Sequence, residues 1–160
     1  MTTFTAPTSP ATADHHDASR SVGARTTVTG GLVGTVLALA STLAIYVVGN
    51  IGAPIRVVTG WAPDGADQTV GEVVMTVVVA LAAGSVLLAV AQARLTRAWR
   101  AWTITAALFA VASAVPLTRL DIDAGSKVAL VSMHLATGAA AIAGHAIARR
   151  RAPLDVLAAG

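Results

Sequence analysis

Four long runs of apolar residues, nearly free of charge, limit what this chain can fold into more than any other feature. Gly30 to Ile51 spans 22 residues without a charge, and Val70 to Ala91 spans 22 with Glu72 alone. Ala101 to Leu117 spans 17 with none, and Val128 to Ala148 spans 21 with two histidines and no formal charge. A bilayer core of ~30 Å takes roughly 20 helical residues, with about 17 to 25 tolerated. Each run has the length of one crossing.

A soluble four-helix bundle would need a polar face on each helix about as wide as the apolar one. The stretch from Gly31 to Tyr46 is uncharged all round, and so is Ala101 to Val115. In water such faces would be exposed patches larger than soluble monomers tolerate. Strands in a membrane must close into a barrel with apolar and polar residues alternating, a pattern absent from these runs. The expected fold is therefore all-α, an integral membrane bundle of four helices running up, down, up, down. Their expected limits are about 30–51, 70–92, 99–117 and 127–148.

Composition agrees: 55% of the 160 residues are hydrophobic and only 12% charged, about half the usual charged share of a soluble domain. With no cysteine there is no disulfide, no thiolate nucleophile and no cysteine-held metal. The chain divides into a tail over 1–28, a helical domain over 29–151 and a short tail over 152–160. The first tail is rich in Thr, Ser, Ala and Pro without periodicity and reads as disordered. Its His15 and His16 read as solvated residues, not metal ligands. A cleaved secretory signal would have a shorter apolar core than the run beginning at Gly30.

Orientation follows from the basic residues. Arg20, Arg25, Arg94, Arg97, Arg100, Arg149, Arg150 and Arg151 fall at one end of the runs, against Asp14, Asp17 and Asp155, for a net charge of +5 there. Arg56, Arg119 and Lys127 fall at the other, against Asp64, Asp67, Glu72, Asp121 and Asp123, for a net −2. Both termini are thus expected in the cytoplasm of a cell whose membrane, a bacterial inner membrane by this reading, the chain crosses four times. The sequence pI near 10.6 reflects topology, because the basic residues cluster at helix ends and form no nucleic-acid face.

The longest connection, Gly52 to Thr69, lies outside and carries the turn formers Pro54, Gly60, Pro63 and Gly65, with Trp61 as an interfacial anchor. Trp99 and Trp102 fit an aromatic belt on the inner face, and His145 an interfacial position beside Arg149. Pro116 should kink or end the third helix. Gly30 and Gly34 stand at GxxxG spacing, and a stripe of Gly31, Thr35, Ala38, Thr42 and Tyr46 runs down the first helix. These small residues suit the bundle seam, while a homo-oligomer or a membrane partner is left open.

Ionisable groups within a membrane are functional candidates by default, and there are two, His134 and Glu72. His134 lies seven residues past Lys127, roughly 10 Å below the outer surface at ~1.5 Å per residue. Thr76 and Thr42 reach similar depths, so His134, Glu72, Thr76 and Thr42 make a candidate polar layer. The plainest role for His134 is a neutral imidazole bonded to a Thr, a Ser or a backbone carbonyl, organising the bundle. The plainest for Glu72 is an interfacial carboxylate near Arg56 or Lys127. The alternative is a small proton-coupled carrier using His134 and Glu72, since imidazole titrates near pH 6.5. Neither the known hydrolase and nucleotide motifs nor a metal-ligand spacing is present, so neither an enzyme nor a cofactor is expected.

The segment Pro116-Leu-Thr, the acidic turn Asp121 to Asp123, and Ser126 to His134 (SKVALVSMH) before a Gly-rich apolar stretch resemble a family of small four-helix bacterial membrane proteins. That family is catalogued only as domain of unknown function 6069. The likeness runs over about Thr29 to Arg151. It implies the topology and a recurring Met133–His134 pair, and it carries no activity.

Overall fold

The computed structural model describes residues 11–59, 62–95 and 97–158, with side chains over 25–57, 65–95 and 97–151. Helix α1 runs over Ala11–Gly49, α2 over Val70–Arg94, α3 over Ala98–Ala114 and α4 over Ala124–Ala158. Strands β1 (Arg56–Thr59) and β2 (Ala62–Asp67) form an antiparallel hairpin between α1 and α2, and a 3-10 turn, Pro116–Arg119, joins α3 to α4. Four stretches are long and apolar enough to cross a membrane: Arg25–Gly49, Val70–Arg94, Ala98–Arg119 and Ala124–Arg151. At 1.5 Å per residue they measure about 33 to 42 Å.

The helices pack in a ring. α1 lies between α2 and α4, and α3 lies between α4 and α2, with α1 against α4 by far the largest contact. Glycine explains that contact. A Cβ on Gly144 would run into the backbone nitrogen and Cα of Gly34 and come within 2.6 Å of the Gly30 carbonyl oxygen. The GxxxG pair of α1 is thus the seam with α4, where removing side chains lets two backbones touch. The buried ridge of α1 is Thr27, Gly30, Gly34, Ala38 and Thr42, spaced mainly by four, and Gly31 turns instead to Ser85 of α2. On α4, Gly138 receives Ala110 of α3 in the same way.

Small residues inside leave large ones outside. The core holds Ala38, Ala110, Ala114, Ala140 and Ala141, with Val77, Leu81, Leu88 and Trp102 packed among them. Val36, Leu87, Leu108 and Phe109 are each more than 60% exposed. An apolar exterior around a small-residue interior suits hydrocarbon and not water, because in lipid packing and not apolar burial joins helices.

Three expectations need correction. α1 begins at Ala11, so the expected disordered tail gives way to helix over 11–28, while residues 1–10 lie outside the described residues. No proline occurs between Pro10 and Pro54, and a helix already nucleated by a packed span propagates backward at little cost. α4 likewise continues beyond Arg151 to Ala158. Finally, the outer connection is not all turn. β1 and β2 pair Arg56 with Asp67 and Val57 with Ala66, then lose register before Thr59 meets Ala62. The surplus residues of β2 include Gly65, whose φ of +83° a side chain would resist. Pro116 does end α3, which stops at Ala114, and stands in the first turn of the 3-10 segment.

The seam predicts two opposite alanine effects. Gly144→Ala overpacks a backbone contact and should destabilise the protein by about 1–3 kcal/mol. Gly84→Ala adds a methyl where no atom lies within 4 Å and should stabilise α2 by about 0.5–1 kcal/mol. Thermal unfolding in detergent, followed by circular dichroism, checks both. Equal melting temperatures would mean that α1 and α4 do not touch at these glycines.

Candidate functional site

The four residues of the expected polar layer are not one constellation. His134 and Thr42 bond within their own helices and Glu72 to its helix cap. His134 is half-buried, and its Nδ1–H donates to the Leu130 carbonyl at 2.9 Å. Because a carbonyl only accepts, Nδ1 carries the proton in this bond. Gly138 packs on Ala106 and Ala110, so His134, one turn toward the hairpin end, is level with the Ser113–Ala114 end of α3. Thr42 is fully buried and donates to the Ala38 carbonyl at 2.6 Å.

Glu72 and Thr76 lie off the buried stripe of α2, which is Val73, Val77, Leu81 and Leu88, and both side chains are exposed. Glu72 completes a capping box. The Thr69 N–H donates to its carboxylate at 2.8 Å, and the Glu72 N–H donates back to the Thr69 hydroxyl at 3.3 Å. Of its two expected neighbours, Arg56 and Lys127, the first donates to the Gly65 carbonyl at 3.2 Å. The signal was present in the sequence, since Thr69-Val-Gly-Glu72 is the T-x-x-E spacing that opens a helix.

Two clusters that single residues did not reveal occupy the ends of the bundle. At the hairpin end, Ile55 is 1% exposed and packs with Ala129, Leu130 and Met133. Around it runs a chain of hydrogen bonds. The Tyr46 hydroxyl donates to the Gln68 carbonyl at 2.9 Å, and the Gln68 N–H donates to the Ile55 carbonyl at 2.8 Å. The Arg56 N–H donates to the Ser126 hydroxyl at 3.0 Å, and that hydroxyl donates to Asp123 at 2.6 Å. The Ser126 N–H also donates to Asp123, at 2.9 Å, so this carboxylate caps α4. The hairpin is therefore tied to the tops of α1 and α4. The side chain of Trp61, the expected anchor here, lies outside the described residues.

At the arginine-rich end, His145 is only 4% exposed, which corrects its expected interfacial place. Its ring meets Trp102 edge-on, with centroids 4.8 Å apart, and lies against Gly30. Trp102 is also buried. Its indole N–H donates to the Gly84 carbonyl at 3.0 Å and so ties α3 to α2. Trp99 stacks on Trp102 at 5.7 Å and carries the Arg149 guanidinium 4.8 Å over its own ring. Thr27 donates to Gln92 at 2.8 Å and links α1 to α2. Trp99 alone keeps the half-buried position of a belt residue. A groove of about 650 Å³ opens sideways between α1 and α4 near the hairpin end, lined by Ala44, Val48, Gly49, Gly125, Val128 and Ser132. Its walls are almost wholly apolar, as suits hydrocarbon.

The four apolar helices, with small residues inside and large ones outside, are those of a multi-pass membrane protein. The chain belongs to the family of unknown function DUF6069, whose model matches residues 22–152, from within α1 to just past the last arginine. No curated protein and no solved structure matches it.

The Asp123 junction gives a pH prediction. The Ser126 hydroxyl first, and the Ser126 N–H next, hold the Asp123 carboxyl below its ordinary 3.8. A depressed folded value stabilises the junction above that pH and loses it as pH falls through the folded value. Protection of the Arg56 amide against hydrogen exchange should therefore hold at neutral pH and decline below about pH 4. Asp123→Ala should show the loss at every pH. Unchanged Arg56 protection in that variant would mean that the hairpin is held by other means.

Proposed function

We propose that this chain is a non-enzymatic multi-pass protein of the cell membrane with both termini in the cytoplasm, and that His134 organises the hairpin-side half of the bundle. The observation that carries this reading is that His134, Thr42 and Glu72, among the described polar side chains of the spans, are already engaged within the fold. The His134 ring is bonded to the Leu130 carbonyl, Thr42 to the Ala38 carbonyl, and Glu72 to its own helix cap. A carrier built on His134 and Glu72 would need both side chains facing one path, and Glu72 is exposed outside the buried stripe of α2. The orientation is supported by arginines at the end where α2 meets α3 and α4 leaves the bundle, and by acids at the hairpin end.

Orientation is tested by cysteine labelling, since every introduced cysteine is unique in this chain. In intact cells Asp64→Cys should react with an impermeant maleimide, and Arg97→Cys should react only after permeabilisation. The reverse pattern would invert the topology.

The role of His134 is tested by two substitutions. His134→Asn should stay within about 1 kcal/mol of the parent in thermal unfolding, and His134→Leu should fall further, because a half-buried polar contact is lost without replacement. In proteoliposomes holding a pH-sensitive dye, the parent and both variants should dissipate an imposed pH gradient at the same rate. Faster dissipation by the parent, lost in both variants, would make the protein a proton-coupled carrier.

A further inference from the structure

The groove between α1 and α4 opens sideways into the hydrocarbon, and its volume of about 650 Å³ lies in the range of small-molecule sites, roughly 300–1,000 Å³. On α4 its lining residues Gly125, Val128 and Ser132 recur at helical spacing over about 10 Å, and Ala44, Val48 and Gly49 face them from α1. Small residues on both walls leave a space elongated along the helices, the shape of an extended alkyl chain.

An alkyl chain alone has little reason to prefer this groove, since the lipid outside is equally apolar. The preference comes from the groove's mouth. A Cβ on Gly125 would stand 3.1 Å from an Asp123 carboxylate oxygen, so the carboxylate lies directly beside a residue of the lining. The Ser126 hydroxyl and N–H hold it there at 2.6 and 2.9 Å. Among the described residues these bonds and neighbouring backbone act on its charge, and no cation does. Lys127 shares its face of α4 with Val131, His134 and Gly138, and Gly138 packs on α3. Lys127 therefore stands on the side of α4 away from the groove, and the Arg56 guanidinium is bonded to the Gly65 carbonyl.

We infer that the α1–α4 groove and Asp123 form a binding site for a single-chain cationic amphiphile, its alkyl chain between the helices and its ammonium at the Asp123 carboxylate. An anionic head meets repulsion at the same place. The whole hairpin end, with three basic residues (Arg56, Arg119, Lys127) against five acidic ones, steers charge in the same sense. The proposal rests on the membrane reading but not on orientation, since the site is defined by the protein and not by the leaflet.

The experiment uses the full chain in phosphatidylcholine vesicles with one bimane-labelled cysteine at Leu135→Cys, a turn beyond Ser132 on α4 and 43% exposed. The quenchers are three amphiphiles with one nitroxide-bearing stearyl chain and a trimethylammonium, phosphocholine or sulfate head, present in both leaflets. The trimethylammonium probe should reach half-quenching at about fivefold lower mole fraction than the phosphocholine probe, and the sulfate probe should quench least. Added salt should narrow the gap. At Val79→Cys, an exposed α2 position of comparable depth, the probes should differ by less than about twofold, because a general surface field acts alike on every side of the bundle. Asp123→Asn, which keeps a helix-capping side chain, should bring the trimethylammonium probe level with the phosphocholine probe. Ala44→Phe, at an exposed wall position, should fill the groove and do the same with the carboxylate in place. Equal quenching of Leu135→Cys by the three probes, an undiminished preference in Asp123→Asn or Ala44→Phe, or the same preference at Val79→Cys would overturn the site. Absence of quenching by every probe at both cysteines would refute the membrane reading itself, and the site with it.

Discussion

Backbone meets backbone where Gly144 of α4 lies against Gly30 and Gly34 of α1, and the rest of the bundle is arranged around that contact. Helices in lipid gain nothing from hiding apolar surface, so their association depends on how closely they approach. The glycines permit the closest approach available. α2 then packs on the Gly31 side of α1 through Ser85, and α3 on the Gly138 side of α4 through Ala110. One seam sets the axis, and two smaller ones hang a helix on each flank.

The same economy governs the polar groups. In hydrocarbon an unsatisfied donor or acceptor costs several kcal/mol, and Thr35, Ser41, Thr42, Thr103, Ser113 and Thr137 each return a hydroxyl to a carbonyl three or four residues back. His134 does the same with its ring. Among the described residues, polar bonds between elements join Thr27 to Gln92, Trp102 to the Gly84 carbonyl, and the hairpin to Ser126. The ends also differ in charge and in chemistry: one is acidic and strand-capped, the other basic and aromatic.

Much of this was legible in residue order. Run length and lack of charge gave the number of helices, and Pro116 marked the end of α3. The GxxxG pair was read as seam, and so it is. The surroundings of single polar residues are less legible. By depth alone Glu72 is a lone carboxylate at a membrane surface, whereas its spacing from Thr69 makes it a cap. His145 looked interfacial because arginines follow it four to six residues on. Its position on the α3-facing side of α4 turns it inward to Trp102, a direction that depends on which helix is the neighbour. The hairpin escaped notice because Gly60, Pro63 and Gly65 speak for turns, and two short strands of irregular register leave little alternation to see.

By itself the sequence determined the medium, the four crossings and the unequal ends, because these depend on hydrophobicity and charge counted along the chain and need no knowledge of neighbours. Only the tertiary structure decided which glycines meet, which of His134 and His145 is buried, and that Arg149 settles over Trp99. Those outcomes depend on the rotation of each helix about its axis. In a chain apolar on every side, that angle is set by the fit of small residues against one another and not by any amphipathic face.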